Sequence, residues 1–272
     1  MMESFTIDQP KQIVAFYREH GYVVVRDLLR KEQLDAMKQE VHAIAAAEAK
    51  RLGLDKQPPQ QSRGFDEYIV ELMQHDPAYR SRLYKVFLHL HSVYALSHSE
   101  ELKKVMSVLG LQCPNFRNLT VRMDIPGEEK FLQPFHQDIR EVRALNCINF
   151  WTTLHDVDIE SGGLQFFPGS HKLGPLVPER TNESGYQIFS EETLRQVRQK
   201  CPEAVCALKE GSVLAFSPML LHGSNINKTQ FMRWTLNIRF DDAIGMEYLQ
   251  NDENPFDKYD VQNKTVFTRP SW

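Results

Sequence analysis

"ALNCINFWTTL", residues 144–154, is a run of β-branched and aromatic residues short enough for one strand. Similar runs recur from residue 115 onward: "NLTVRMDI" (118–125), "GLQFFPGS" (163–170), "AVCALKEGSVLAFSP" (204–218) and "RWTLNIRF" (233–240). Turn-forming pairs such as Pro126-Gly127 and Pro168-Gly169 separate them. With only one helical pattern among them, near Glu191 to Lys200, the spacing predicts a sandwich or jelly roll rather than alternating β and α units.

The first 112 residues differ, because their apolar residues recur mainly at helical spacing. The predicted helices run from Asp8-Pro10 to Gly21, from Lys31 to Arg51, from Pro77 to Leu96 and from Ser99 to Leu109, with a strand in "YVVVRDLL" (22–29) and a polar loop, "DKQPPQQSRG" (55–64). We therefore expect one mainly β domain with flanking helices over residues 1–272. It comprises helical support with one or two strands (1–112), a jelly-roll core (113–240) and an irregular C-terminal segment (241–272).

The composition argues against several classes of partner. The net charge is −4 with both signs spread along the chain, so no basic face indicates nucleic acid or an anionic membrane surface. Apolar runs are too short to span a bilayer and the N-terminus lacks a secretory pattern, so the expected compartment is the cytoplasm. The four cysteines, at 113, 147, 201 and 206, are predicted to be reduced and mostly buried. The sequence indicates no oligomeric state.

A histidine two places before an aspartate stands in "PFHQDIREVR", residues 134–143. On a strand, this spacing points His136 and Asp138 to the same face, where one metal ion can bind both. The pair alone is weak evidence, because ten histidines and 36 acidic residues produce about one such pair by chance. A second instance, His98 and Glu100, has the pattern of a helix start capped by Ser97 or Ser99.

The third ligand must come from elsewhere in the strand-rich half. His222, in "LLHGSNIN" (220–227), follows an apolar run where a strand ends, whereas His155 and His171 have the pattern of surface or turn residues. Two histidines and one carboxylate leave three coordination positions open, as in non-haem Fe(II) oxygenases. A 2-oxo acid that chelates such an ion needs a cation for its far carboxylate, and Arg233 leads the strand that follows.

Four segments in the same order resemble the phytanoyl-CoA dioxygenase family of Fe(II)- and 2-oxoglutarate-dependent oxygenases: "FYREHGYVVVRDLL" (16–29), "FHQD" (135–138), "GGLQFFPGSHK" (162–172) and "HGSNINKTQFMR" (222–233). The resemblance covers roughly residues 10–240. It implies a double-stranded β-helix, which is a cupin-like jelly roll. It also implies Fe(II), 2-oxoglutarate and dioxygen as cofactor and co-substrates, with His136, Asp138 and His222 as catalytic metal ligands. Arg233 and Ser224 would then bind 2-oxoglutarate, and Gln137 is shared with some members.

The expected reaction is hydroxylation of an unactivated C–H bond of a small-molecule substrate, with release of succinate and CO2. The presence of Asp138 favours oxygen insertion over halogenation, because halogenating relatives have a small residue there. Arg117, Arg122, Arg140 and Arg143 flank the proposed first metal strand and the strand before it. They are either exposed charges on strand edges and loops or, if one of them enters the pocket, a feature that favours an anionic substrate. Asn149, Trp151 and Thr153 share one strand face and are candidate substrate contacts together with Arg143.

Two other classes of function remain open at the level of sequence. The same ligands could hold zinc or manganese in a metal-dependent enzyme without redox chemistry. The jelly roll could also be a binding protein for a small molecule without catalytic activity. The identity of the substrate, among acyl thioesters, amino acids, sugar acids, phosphonates and secondary metabolites, is not indicated by the residues.

Overall fold

The computed structural model of the chain describes residues 2–53, 69–71, 73, 78–141, 146–182 and 186–245. Three features predicted from the sequence lie outside these residues. They are the proline-bearing loop at 55–64, the side chain of Arg143 and the chain beyond residue 245.

Helices dominate the first part of the chain, as its apolar spacing predicts. The elements are β1 (Ser4–Phe5), α1 (Pro10–His20), β2 (Tyr22–Val25), α2 (Lys31–Leu52), α3 (Tyr79–Phe87), α4 (His91–Ser97) and α5 (Glu100–Val108). Gly21 ends α1 with a left-handed conformation (φ 76°), and the hydroxyl of Ser99 caps α5 by accepting from the Leu102 amide. Among the described residues, no helix combines the length and apolar character needed to cross a membrane.

The predicted helix from Pro77 to Leu96 is wrong in one respect, because two helices occupy this segment. The chain turns after Phe87, and Leu90 adopts an extended conformation (ψ 142°) before α4 begins. Leu88 and Leu90 pack against the main hydrophobic core. Burial of apolar side chains therefore accompanies a break that no proline or glycine signals in the sequence.

Short strands dominate the second part of the chain. They are β3 (Pro114–Asp124), β4 (Cys147–Thr153), β5 (Gln165–Phe166), β6 (Arg180–Thr181), β7 (Gln187–Ile188), β8 (Ala204–Val205), β9 (Val213–Phe216), β10 (His222–Gly223) and β11 (Arg233–Asp242). One helix, α6 (Glu191–Lys200), interrupts them at the predicted position. The last strand continues to Asp242, two residues beyond the predicted end of the core.

Two facing sheets give the strands a jelly-roll arrangement. The larger sheet has the order β1-β2-β9-β4-β11-β3, and the smaller one has the order β10-β5-β8. An antiparallel bridge between His136 and His222 adds one more segment beside β10. β6 and β7 form a separate two-stranded sheet, and from β8 to β11 consecutive strands alternate between the two larger sheets. This arrangement agrees with the predicted cupin-like fold class, which is confirmed.

The two faces of β11 have opposite characters. Trp234, Leu236 and Ile238 are buried in the main core, which the helices share, and the Trp234 ring lies 5.8 Å from that of Phe87. The alternate residues, from Arg233 to Arg239, point to the interior between the sheets and line a cavity there. The strand therefore joins the apolar support on one side to a polar interior on the other.

We predict that Leu236→Ala lowers the free energy of unfolding by about 2–5 kcal/mol, because this fully buried side chain leaves a cavity between sheet and helices. Denaturant titration followed by circular dichroism measures the change. Ile159→Ala, at a position 56 % exposed, is the control and should stay within about 0.5 kcal/mol of the native protein. Equal effects of the two substitutions would contradict the assignment of this strand face to the core.

Candidate active site

Two histidines from distant segments are joined through their main chains. The His136 amide donates to the His222 carbonyl (2.8 Å), and the His222 amide donates to the His136 carbonyl (3.0 Å). Their ring centroids are 4.2 Å apart. Each ring places Nδ1 within hydrogen-bond distance of a main-chain carbonyl, Pro134 for one (2.8 Å) and Leu220 for the other (2.9 Å). Because a carbonyl oxygen can only accept, each Nδ1 carries the proton and each Nε2 keeps a free lone pair.

Asp138 completes a compact cluster with the two rings. Its Oδ1 lies 3.6 Å from Nε2 of His136, and its Oδ2 lies 3.6 Å from Nε2 of His222. One donor atom from each of the three residues lies within 4.8 Å of the other two, and no second group of this kind occurs among the described residues. The predicted trio therefore meets at one point inside the jelly roll.

The protonation states of the three groups suit a divalent cation. Burial lowers the pKa of His222 to about 3, aided by the neighbouring His136, and burial likewise lowers the pKa of His136. Burial alone would raise the pKa of Asp138, but the Arg239 guanidinium, through its charge and its hydrogen bond, holds it below its ordinary value. Near neutral pH the cluster thus consists of two neutral imidazoles and one carboxylate.

The Asp138 carboxylate is held from one side by two polar side chains. Its Oδ2 accepts from Nε (3.1 Å) and Nη2 (2.8 Å) of Arg239 and from Nδ2 of Asn149 (3.0 Å). Arg239 is fixed in turn by Asn118, whose Oδ1 accepts from Nη1 (3.0 Å). Within the described part of the chain, no hydrogen bond is made to Oδ1. This oxygen is therefore left for a metal ion, and outer contacts of this kind usually orient metal ligands.

The donor set fits Fe(II). Two imidazole nitrogens and one carboxylate oxygen on one side of an ion match the facial arrangement of non-haem iron oxygenases. The remaining side of the cluster opens on a cavity of about 700 Å³, which His136, Asp138 and His222 all line. Space for a co-substrate and a substrate therefore lies directly beside the candidate ligands.

Arg233 has one unused donor in the same cavity. Its Nε and Nη2 donate to Oδ2 of Asp124 (3.2 and 2.7 Å), whereas Nη1 is buried and has no partner. A buried guanidinium nitrogen without a partner is costly, so it indicates a ligand that accepts a hydrogen bond. Gly162 has no side chain that would fill the space next to this nitrogen, because a Cβ on Gly162 would lie 3.1 Å from Nη1 of Arg233. These contacts fit the distal carboxylate of 2-oxoglutarate.

The other two predicted co-substrate contacts differ from each other. Ser224 lines the cavity and donates its main-chain amide to the Gln133 carbonyl (2.9 Å). Gln137 is buried, and its side-chain amide donates to the carbonyls of Gly174 (3.0 Å) and Met219 (2.6 Å). Its Oε1 accepts from the Leu176 amide (2.7 Å). These contacts fix the surrounding loops, and Gln137 also lines the cavity, so its predicted contact with the co-substrate stays a prediction.

The predicted substrate contacts have three different positions. Trp151 lines the cavity, Asn149 supports Asp138, and Thr153 is fully buried but does not line the cavity. Of the histidines set aside in the sequence, His171 approaches the Arg18 carbonyl (3.1 Å), and His155 is half-buried outside the cavity lining.

The sequence reasoning missed Arg239 and several other polar side chains of the cavity wall. They include Thr235 and Asn237 of β11 and Thr120 and Asn118 of β3, and the two strands pair these residues in register as Thr120–Asn237 and Asn118–Arg239. The sequence did contain a signal for Arg239. It follows Arg233 by six residues in the same strand, and an even spacing places both side chains on one face of the strand.

Comparisons with known proteins agree with this geometry. The sequence model of the family described as phytanoyl-CoA dioxygenase matches residues 17–235. The peroxisomal phytanoyl-CoA dioxygenase of Bos taurus is 27% identical over 243 residues, which is 84% of this chain and 67% of the relative.

Two solved structures show the same fold at low sequence identity. One is EctD from S. alaskensis with 2-oxoglutarate and 5-hydroxyectoine (TM-score 0.61, 16% identity, 90% of this chain and 80% of the other). The other is the epimerase SnoN with Fe3+, alpha ketoglutarate and nogalamycin RO (TM-score 0.55, 19% identity, 93% of each chain). The family match covers most of the sequence and includes every residue of the His-Asp-His cluster. The chain therefore belongs to the phytanoyl-CoA dioxygenase family of Fe(II)- and 2-oxoglutarate-dependent dioxygenases.

Proposed function

We propose that this protein binds Fe(II) through His136, Asp138 and His222, anchors 2-oxoglutarate at Arg233, and hydroxylates a C–H bond of a small molecule. The overall reaction consumes one dioxygen and one 2-oxoglutarate and yields the hydroxylated product, succinate and CO2. One observation carries the proposal. Three ligand atoms within 4.8 Å of one another share a cavity with an unpartnered guanidinium nitrogen.

The residues around the cluster keep the ligands in place before any metal binds. Main-chain carbonyls hold both imidazoles in the tautomer that presents Nε2. Arg239 and Asn149 occupy one oxygen of Asp138 and leave the other for the ion. When bound, Fe(II) supplies the activation of dioxygen, with 2-oxoglutarate as the source of two electrons.

Arg233 orients the co-substrate in this account. Asp124 accepts hydrogen bonds from Nε and Nη2 of the guanidinium. Nη1 is thereby left to donate to the distal carboxylate of 2-oxoglutarate. The Arg233 and Arg122 guanidinium groups outweigh the effect of burial and lower the pKa of Asp124, which keeps it ionised as a partner. Ser224, which also lines the cavity, is a second candidate donor to the same carboxylate.

The first prediction concerns metal binding. Anaerobic addition of Fe(II) and 2-oxoglutarate to the native protein should produce the weak visible charge-transfer band of the chelate. His222→Ala should abolish the band, because it removes one of three protein ligands. His155→Ala is the control and should retain it, since His155 does not line the cavity. A band of native intensity in His222→Ala would contradict the ligand assignment.

The second prediction concerns the co-substrate. Arg233→Gln should weaken 2-oxoglutarate binding by the equivalent of about 2–5 kcal/mol, or tens to thousands-fold, because it leaves a carboxylate unpaired at a position where the native side chain is only 4 % exposed. Titration of the same visible band with 2-oxoglutarate measures the loss. Arg198→Gln removes a guanidinium on the exposed side of α6 and should leave the affinity unchanged. Normal affinity in Arg233→Gln would remove the anchor assignment.

The third prediction separates the oxygenase from a metal enzyme without redox chemistry. Turnover, measured as succinate release, should require Fe(II), dioxygen and 2-oxoglutarate together, and Zn(II) should not replace Fe(II). A small-molecule library screened by stimulated succinate release then identifies substrates. Conversion of any compound with Zn(II) and without dioxygen would favour the non-redox alternative.

A further inference from the structure

A second basic group lines the cavity at Arg122, on the strand beside β11. Its Nη2 donates to Oδ1 of Asp124 (2.9 Å) and to the Phe131 carbonyl (2.9 Å), and its side chain is 14 % exposed. Among the described residues, Nε and Nη1 of Arg122 have no hydrogen-bond partner. The guanidinium is therefore held in place by one of its nitrogens, while its other donors remain available.

Arg80, from α3, approaches the same part of the cavity. It pairs through Nη1 with Glu128 and through Nη2 with the Met123 carbonyl (3.0 Å), and its Nε is buried without a partner. Its guanidinium carbon lies 4.1 Å from the centre of the Phe131 ring, whose main chain accepts from Arg122. Two cations thus contact one residue of the loop that follows β3.

The charges around the cavity do not balance. Four arginines of the described residues line it: Arg80, Arg122, Arg233 and Arg239. Among the described residues, the ion pairs of these arginines involve three carboxylates: Glu128, Asp138 and Asp124, the last of which is shared by Arg122 and Arg233. Bound Fe(II) and the 2-oxoglutarate dianion cancel each other. Within the described part of the chain, one positive charge therefore remains among arginine side chains that are at most 15 % exposed, where an uncompensated charge is costly.

A purely structural role explains only part of these contacts. Arg122 does link Asp124 to the loop at Phe131, and a lysine or a neutral donor could make a similar link. Such a link would not account for the unpaired donors of Arg122 or for the surplus positive charge. The distal carboxylate of 2-oxoglutarate is already assigned to Arg233. The surplus positive charge therefore indicates a second anionic group as its partner.

We propose that Arg122, with Arg80 beside it, binds a carboxylate or another singly charged oxyanion on the substrate. This inference rests on the proposed function and specifies its substrate class as a small monoanion. Both N–H groups of Nη2 are used by Asp124 and the Phe131 carbonyl, so Nη1 and Nε of Arg122 are the donors for an oxyanion, and the ring of Phe131 provides an apolar side for the rest of the molecule. Arg122 and the three candidate metal ligands line the same cavity, so a substrate held at Arg122 shares that cavity with the metal site.

The test uses propanoate and its neutral amide, propanamide, as probes. Each is titrated calorimetrically into anaerobic protein saturated with Fe(II) and 2-oxoglutarate. Propanoate should bind at least about tenfold more tightly than propanamide, and Arg122→Gln should lose about tenfold or more of the propanoate affinity. Arg122→Lys should retain part of it. Lys130→Gln, which removes an exposed charge next to Phe131, is the control and should bind propanoate normally.

Three results would overturn the inference: no propanoate binding, equal binding of the two probes, or native propanoate affinity in Arg122→Gln. Loss of 2-oxoglutarate binding in Arg122→Gln would also overturn it, because Arg122 would then belong to the co-substrate site. The visible band keeps the two proposals apart. Its absence from the native protein is a failure of the proposed function, whereas a normal band without selective propanoate binding is a failure of this inference alone.

Discussion

Two main-chain hydrogen bonds between His136 and His222 bring together side chains that are far apart in the sequence. They form at the edge of the smaller sheet, where the loop after β3 pairs with β10. Because backbone atoms make this contact, the separation of the two rings depends on the jelly roll and not on the rings themselves. Main-chain carbonyls then fix which ring nitrogen is free. A metal site built in this way needs little rearrangement when the ion binds.

The alternation of β11 connects this site to the stability of the whole chain. Its outer residues, such as Leu236, pack into the core that the helices share, and its inner residues face the cavity. A polar interior is stable only when its charges are paired, and two buried carboxylates provide most of the pairing. Asp138 pairs with Arg239 near the candidate ligands, and Asp124 lies between Arg122 and Arg233. The apolar face therefore supports a cavity whose charged groups hold one another in place.

The sequence predicts the parts of this arrangement that follow from periodicity or motif spacing. Short β-type runs predict the strands, and the chain order of four motifs predicts the cluster of His136, Asp138 and His222. The roles of single polar residues depend instead on neighbours across the sheet, which a linear pattern does not contain. Arg239 and Gln137 are examples, since one holds a candidate ligand and the other binds main-chain groups of distant loops. The break before α4 was missed for a related reason, because tertiary packing and not a local breaker accompanies it.

The central claim is that one iron ion is held where these segments meet. Anomalous diffraction at the iron edge, from crystals grown anaerobically with Fe(II) and 2-oxoglutarate, tests it most directly. We expect a single strong peak coordinated by Nε2 of His136, Nε2 of His222 and one oxygen of Asp138, with a 2-oxoglutarate carboxylate at Nη1 of Arg233. A peak at any other group of residues, or 2-oxoglutarate bound away from Arg233, would contradict it.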